Sequence, residues 1–123
     1  MTAVLVALGA SVGAPLRYLV DRWLQLRTES DLPWGTFTVN VTGSLILGAL
    51  AGLVAVGAVG SGVAAAVGTG FCGALTTFSS FGYETVRMLE EGSWGAALVN
   101  VSATLAVGLV AVTAGWGLAH LLH

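Results

Sequence analysis

The chain has 123 residues, of which 56% are hydrophobic and 8% charged, with a net charge of −2 and a mean hydropathy of +0.92. A water-facing surface of ordinary size needs about a quarter of its residues charged, so six acids and four arginines exclude a soluble globular domain. The absence of lysine removes the basic patch that nucleic-acid binding requires, and the single Cys72 excludes an internal disulfide.

Ala3 to Ala14 is short and apolar like the core of a secretory signal. It lacks a positive leading region and further spans follow, so it reads as the start of an uncleaved first helix over about residues 2–20. Pro15 and Arg17 interrupt that helix chemically. Arg22, Trp23 and Arg27 then form an interfacial collar, with tryptophan and arginine where the headgroups lie. Glu29, Ser30, Asp31 and Pro33 make a polar connection.

Everything between Leu32 and Tyr83 is uncharged, enough for two crossings of about 20 residues each with a glycine-rich turn at Gly60 and Ser61. Helix two is expected at about 35–59 with Trp34 at its entry, and helix three at about 62–88. Helix four follows at about 94–118, between Trp94 and Trp116. The expectation is an all-α membrane protein of four transmembrane helices in a single domain, both termini on one side. Glycine pairs such as Gly9 with Gly13 and Gly48 with Gly52 suit close helix packing.

Polar residues inside these spans carry the chemistry. Asn40 lies early in helix two, where a carboxamide must find a partner, either across to another helix or along an ion pathway. Helix three holds Gly73, Thr76, Thr77, Phe78, Ser79, Ser80 and Phe81 in one short run. At helical spacing Thr77, Ser80 and Glu84 share a stripe, and Phe78 and Phe81 form an adjoining one. Hydroxyls donate to an anion, and phenyl edges carry positive potential; ordinary aromatic packing is the other reading. The glycines before Thr76 suggest that helix three is broken, freeing backbone carbonyls for a small cation, a buried water or a neighbouring hydroxyl. In helix four, Asn100 and Thr104 share a face, which serves helix pairing or an extended polar track.

These segments resemble the CrcB/Fluc fluoride channels of bacteria. Gly9 to Tyr18 (GASVGAPLRY) is similar to that family's first-helix signature, Gly35 to Gly48 (GTFTVNVTGSLILG) to its second, and Gly70 to Glu91 (GFCGALTTFSSFGYETVRMLEE) to its third. The resemblance implies an antiparallel dimer in the bacterial inner membrane, with two fluoride pathways and a central structural sodium ion that is not transported. Asn40 would be the pathway amide, Phe78 and Phe81 the pore phenylalanines, and Thr77 and Ser80 hydroxyls of the polar track. Gly73 and Thr76 would hold sodium through their carbonyls, Arg17 would stand near the water-filled vestibule, and Glu84 would close the track. Asn100 stands where many relatives have tyrosine, and Thr104 where they have serine. Ala74 replaces a second glycine.

The resemblance leaves two assemblies open, a dual-topology homodimer and a heterodimer with a related subunit. Arg17, Arg22, Arg27 and Arg87 all fall on the side of the first and third connections, which the positive-inside rule places in the cytoplasm. The alternative function is a small multidrug-type proton-coupled antiporter, which needs a carboxylate within the membrane; helix one has none, and Glu84 lies near the end of helix three. A non-conducting assembly subunit leaves the hydroxyl and phenyl stripes without a purpose. No nucleophile, base and orienting group occur together, so an enzyme is not expected.

Overall fold

Long apolar runs in lipid have one economical solution, because every backbone N–H and C=O must be paired inside the segment. The computed structural model describes residues 1–30 and 32–123 and is helical throughout. Asp31, assigned above to the polar connection, lies outside the described residues. Among the described residues four stretches are long and apolar enough to cross a membrane: Thr2–Arg27, Trp34–Ala55, Ser61–Glu90 and Trp94–Leu122. We label the helices α1 (Thr2–Arg27), α2 (Trp34–Ala55), α3 (Ser61–Val63), α4 (Gly73–Leu75), α5 (Ser79–Glu90) and α6 (Trp94–Leu122), with a π-helical stretch at Ala64–Cys72 joining α3 to α4.

The ends differ from the sequence expectation for identifiable reasons. Helix α1 runs to Arg27 rather than stopping near Val20, with Pro15 inside it. Its 26 residues reach about 39 Å, so the charged turns extend past a hydrocarbon layer of about 30 Å. There the Arg27 guanidinium lies 4.6 Å over the Trp23 ring, as a collar requires. Helix α2 stops at Ala55 instead of Val59 because Gly57 takes φ +74°. The Gly57 N–H donates to the Val54 carbonyl and the Ala58 N–H to Leu53, which satisfies the last carbonyls by a glycine-dependent reversal. Gly92, at φ +80°, ends the third span in the same way. Helix α6 continues past Leu118 to Leu122, and His120 stacks on Trp116 near its end with ring centroids 4.8 Å apart.

Glycine sets the closest approach. A Cβ on Gly48 would overlap the Val112 carbonyl, and one on Gly115 would lie 2.6 Å from the Ala49 N–H, so α2 and α6 meet backbone to backbone. Gly9 and Gly13 play the same part where α1 meets the π stretch and α4. The core between these layers is built from small and branched residues, among them Val39, Leu50, Cys72, Leu75 and Ala111. Helix α5 rests mainly on α6 and lightly on α2.

Candidate ion-binding cleft

At Thr76 the backbone of the third span is extended, with φ −79° and ψ 159°, before α5 begins at Ser79. Asn40 on α2 supplies what this geometry removes. Its Nδ2 donates to the Thr77 carbonyl at 2.9 Å, and its Oδ1 accepts the Thr77 N–H at 2.7 Å. Both bonds together fix which end of the amide points where. In an uninterrupted helix that Thr77 N–H would reach the Gly73 carbonyl. The Ser80 N–H is diverted likewise: it donates to Thr77 Oγ1 at 3.2 Å, in the manner of a helix cap, rather than to the Thr76 carbonyl. Gly73 and Thr76 thus each lose a regular backbone donor.

A cleft of about 340 Å³ opens beside this segment. Asn40 and Ser44 line it from α2, Gly73, Thr76, Thr77, Phe78 and Phe81 from the third span, and Thr104 from α6. Its mouth is bordered by Phe78, whose side chain is 84% exposed. The Phe78 and Phe81 ring centroids lie 6.0 Å apart with the planes tilted by 51°, so the two rings present different edges. A Cβ on Gly43 would overlap the Thr76 side chain, which explains why the cleft floor carries glycine there.

The donor inventory is smaller than the hydroxyl count suggests. Ser44 Oγ donates to the Asn40 carbonyl, and Thr76 Oγ1 donates to the Cys72 carbonyl, both at 2.8 Å, so neither hydrogen is free. Thr77 Oγ1 and Ser79 Oγ share one hydrogen bond at 3.4 Å. Thr104 Oγ1 is different: among the described residues it is the buried side-chain polar atom without a partner. With the second Nδ2 hydrogen of Asn40, it remains for a ligand.

The predicted site residues therefore divide into two groups. Asn40, Gly73, Thr76, Thr77, Phe78, Phe81 and Thr104 come together on one cleft, whereas Arg17 and Ser80 line a smaller one of about 140 Å³ with Thr36. Thr77 forms part of both walls. The helical stripe of Thr77, Ser80 and Glu84 is corrected, because Thr77 precedes the first turn of α5 and is placed by Asn40 instead. Glu84 accepts a hydrogen bond from the Thr36 hydroxyl on α2. Asn100 does not extend the cleft. It is 5% exposed and bonds Thr85, and it borders a separate apolar gap with Trp34 and Phe37. Sequence reasoning does not single out Thr36 as a partner; the signal for it is its place one turn before Asn40 on the same face of α2.

Comparison with known proteins bears on what such a cleft serves. The family model described as "CrcB-like protein, Camphor Resistance (CrcB)" matches residues 4–116. The chain belongs to the CrcB family. A relative from Streptomyces avermitilis is 50% identical over 94% of this chain and 93% of its own length. One from Nocardia farcinica is 51% identical over 94% of this chain and 79% of its own. One from Frankia casuarinae is 48% identical over 98% and 97%. All three carry the name "Fluoride-specific ion channel FluC 1". CrcB membership and the four apolar spans make this chain a multi-pass protein of the bacterial plasma membrane.

Proposed function

We propose that the chain is a subunit of a fluoride-selective channel that lets cytoplasmic fluoride leave passively and so lowers its toxicity. The observation that carries this reading is the cleft itself, where neutral donors face phenyl rings on one open flank of a chain whose relatives are named fluoride channels. A small, strongly hydrated anion entering it exchanges water for the Thr104 hydroxyl, the spare Asn40 N–H and the ring edges of Phe78 and Phe81, with the Thr77 hydroxyl beside them. None of these is a fixed positive charge, so the ion is desolvated without being trapped. Ser80, Glu84 and Arg17 continue the route toward the arginine-bearing end. Hydrogen fluoride crosses bilayers as a neutral molecule and dissociates inside. An interior-negative potential then drives the anion out by about 2.3 kcal/mol per 100 mV, so no catalytic step or energy source is needed.

Two copies in opposite orientation would close the flank that one copy leaves open, with the third span broken at Thr76 near their shared axis. A structural sodium ion suits the donors present. Gly73 and Thr76 have carbonyls whose regular N–H partners go elsewhere, and hard cations take oxygen ligands. Among the described residues no cluster of His, Cys, Asp and Glu offers another metal site. When bound, sodium would supply a positive charge that holds the two third spans together.

A heterodimer is the second reading, favoured by a specific feature. All four arginines belong to the end that carries the first and third connections, which biases a single chain toward one orientation. A proton-coupled antiporter is not favoured: Glu84 is engaged by Thr36, and Asp21, which α1 carries beyond the end expected for helix one, lines the smaller cleft with Arg17. The test is ion release from liposomes containing the purified chain. Electrogenic fluoride efflux with chloride retained is expected; equal chloride efflux would sink the proposal. Conduction by the chain without any second gene product would remove the heterodimer.

A further inference from the structure

We infer that Asn100 is a positioning residue for Phe81, acting through Thr85. This rests on the channel reading above for its functional meaning, but its geometry stands separately. The Asn100 Nδ2 donates to Thr85 Oγ1 at 2.9 Å, and that hydroxyl passes its own hydrogen to the Phe81 carbonyl at 2.8 Å. The threonine hydroxyl is thereby used in both directions, and its rotamer is the one that reaches back one turn along α5. Bonds in such a chain polarise and strengthen one another in a dry interior. Asn100 is buried on α6, where an amide without a partner would be costly.

The placement of this tie gives it leverage. Helix α5 lies mainly along α6 and meets α2 only lightly, with Met88 its one buried residue, so polar ties to each neighbour bear on its rotation. Two polar side-chain ties act one turn beyond Phe81: Thr36 of α2 grips Glu84, and Asn100 of α6 grips Thr85. Residues three and four positions on from Phe81 lie on its own side of the helix, about 100° apart from each other. One tie pulls toward α2 and the other toward α6, so together they set the angle of α5 about its axis. That angle decides which edge the Phe81 ring presents to Phe78 and to the cleft. A helix held by a single tie would turn, and the ring would turn with it.

The test uses the purified full-length chain and near-isosteric changes. Asn100→Leu and Thr85→Val should each lower fluoride efflux from liposomes by about tenfold, the worth of one hydrogen bond, while Thr85→Ser, which keeps the hydroxyl, should stay near the parent. The double variant Asn100→Leu/Thr85→Val should be no slower than either single one, because both remove the same connection. A second readout is independent of transport: 4-fluorophenylalanine placed at position 81 should show the same displaced ¹⁹F resonance in Asn100→Leu and Thr85→Val, and the parental resonance in Thr85→Ser. An unmoved resonance in both variants overturns the inference, as does unchanged flux in both. Multiplying losses in the double variant do so too. If the parent protein releases no fluoride, the channel reading fails, and the ¹⁹F comparison still decides the positioning role. Should Asn100→Leu fail to fold, the Thr85 pair carries both measurements.

Discussion

Between α2 and α6, backbones touch where Gly48, Gly52 and Gly115 carry no side chain, whereas the stretch from Thr76 to Glu90 is tied to its neighbours by hydrogen bonds from Asn40, Thr36 and Asn100. The first contact is continuous and apolar, and its stability is spread over many small van der Waals terms. The second is concentrated in three amide or hydroxyl ties, any of which can be removed alone. A membrane protein built this way keeps a rigid slab on one side and a polar, adjustable segment on the other.

The largest effect should come from breaking the slab. Gly115→Val places carbon against the Leu45 carbonyl and the Ala49 N–H, neither of which can move aside, so destabilisation of about 3 kcal/mol or more is expected. Thermal unfolding in detergent would register it, and an unchanged midpoint would refute the backbone contact. Next is Asn40→Leu, which strands the Thr77 N–H and carbonyl together. It should cost about 2–4 kcal/mol and abolish fluoride efflux. Asn40→Asp keeps the acceptor for the Thr77 N–H and should lie between Leu and the parent.

Sharper discrimination comes from changes that leave stability alone. Phe78→Ile, at a ring mostly exposed in the subunit, should alter stability by less than about 1 kcal/mol yet lower fluoride flux; Phe81→Ile should lower flux as well. Normal flux in both would take the rings out of the pathway. Thr104→Val removes a buried hydroxyl that has no partner, so stability should be unchanged or slightly raised while fluoride efflux falls. A marked loss of stability would mean that the hydroxyl is bonded after all. The smallest effect belongs to Arg87→Gln. Its ion pair with Glu91 joins side chains 64% and 59% exposed, so its removal should leave the unfolding midpoint where it is.

Much of this architecture was readable from residue order, and the limits have physical causes. Length and hydropathy find spans because the bilayer imposes both, and Trp34 and Trp94 punctuate them locally; the reversal at Gly57, which ends α2 before the turn expected at Gly60 and Ser61, leaves no mark in hydropathy. The extent of α1 is not legible because charged residues mark the edge of the hydrocarbon layer and not the end of the helix, which continues freely into the headgroups to Arg27. The residues that Asn40 and Thr104 share the cleft with are legible where they are polar or aromatic in an apolar background, as Thr76, Thr77, Phe78 and Phe81 are. Bond partners are not. Asn40 reaches 37 positions along the chain to Thr77, and Asn100 reaches 15 to Thr85, and nothing in spacing on one helix reports which donor meets which acceptor on another. Periodicity also misplaced Thr77, because a helical wheel assumes the helix it is drawn on, and the extended backbone at Thr76 lies just before it.

Cys72 is 2% exposed and forms part of the cleft wall immediately before Gly73. As the chain's sole sulfur nucleophile, it makes the molecule its own reporter. No cysteine-free background is needed before a thiol reagent is applied, and a buried thiol reacts only when its surroundings open. The labelling rate therefore measures how often the packing at the end of the π stretch opens beside the cleft.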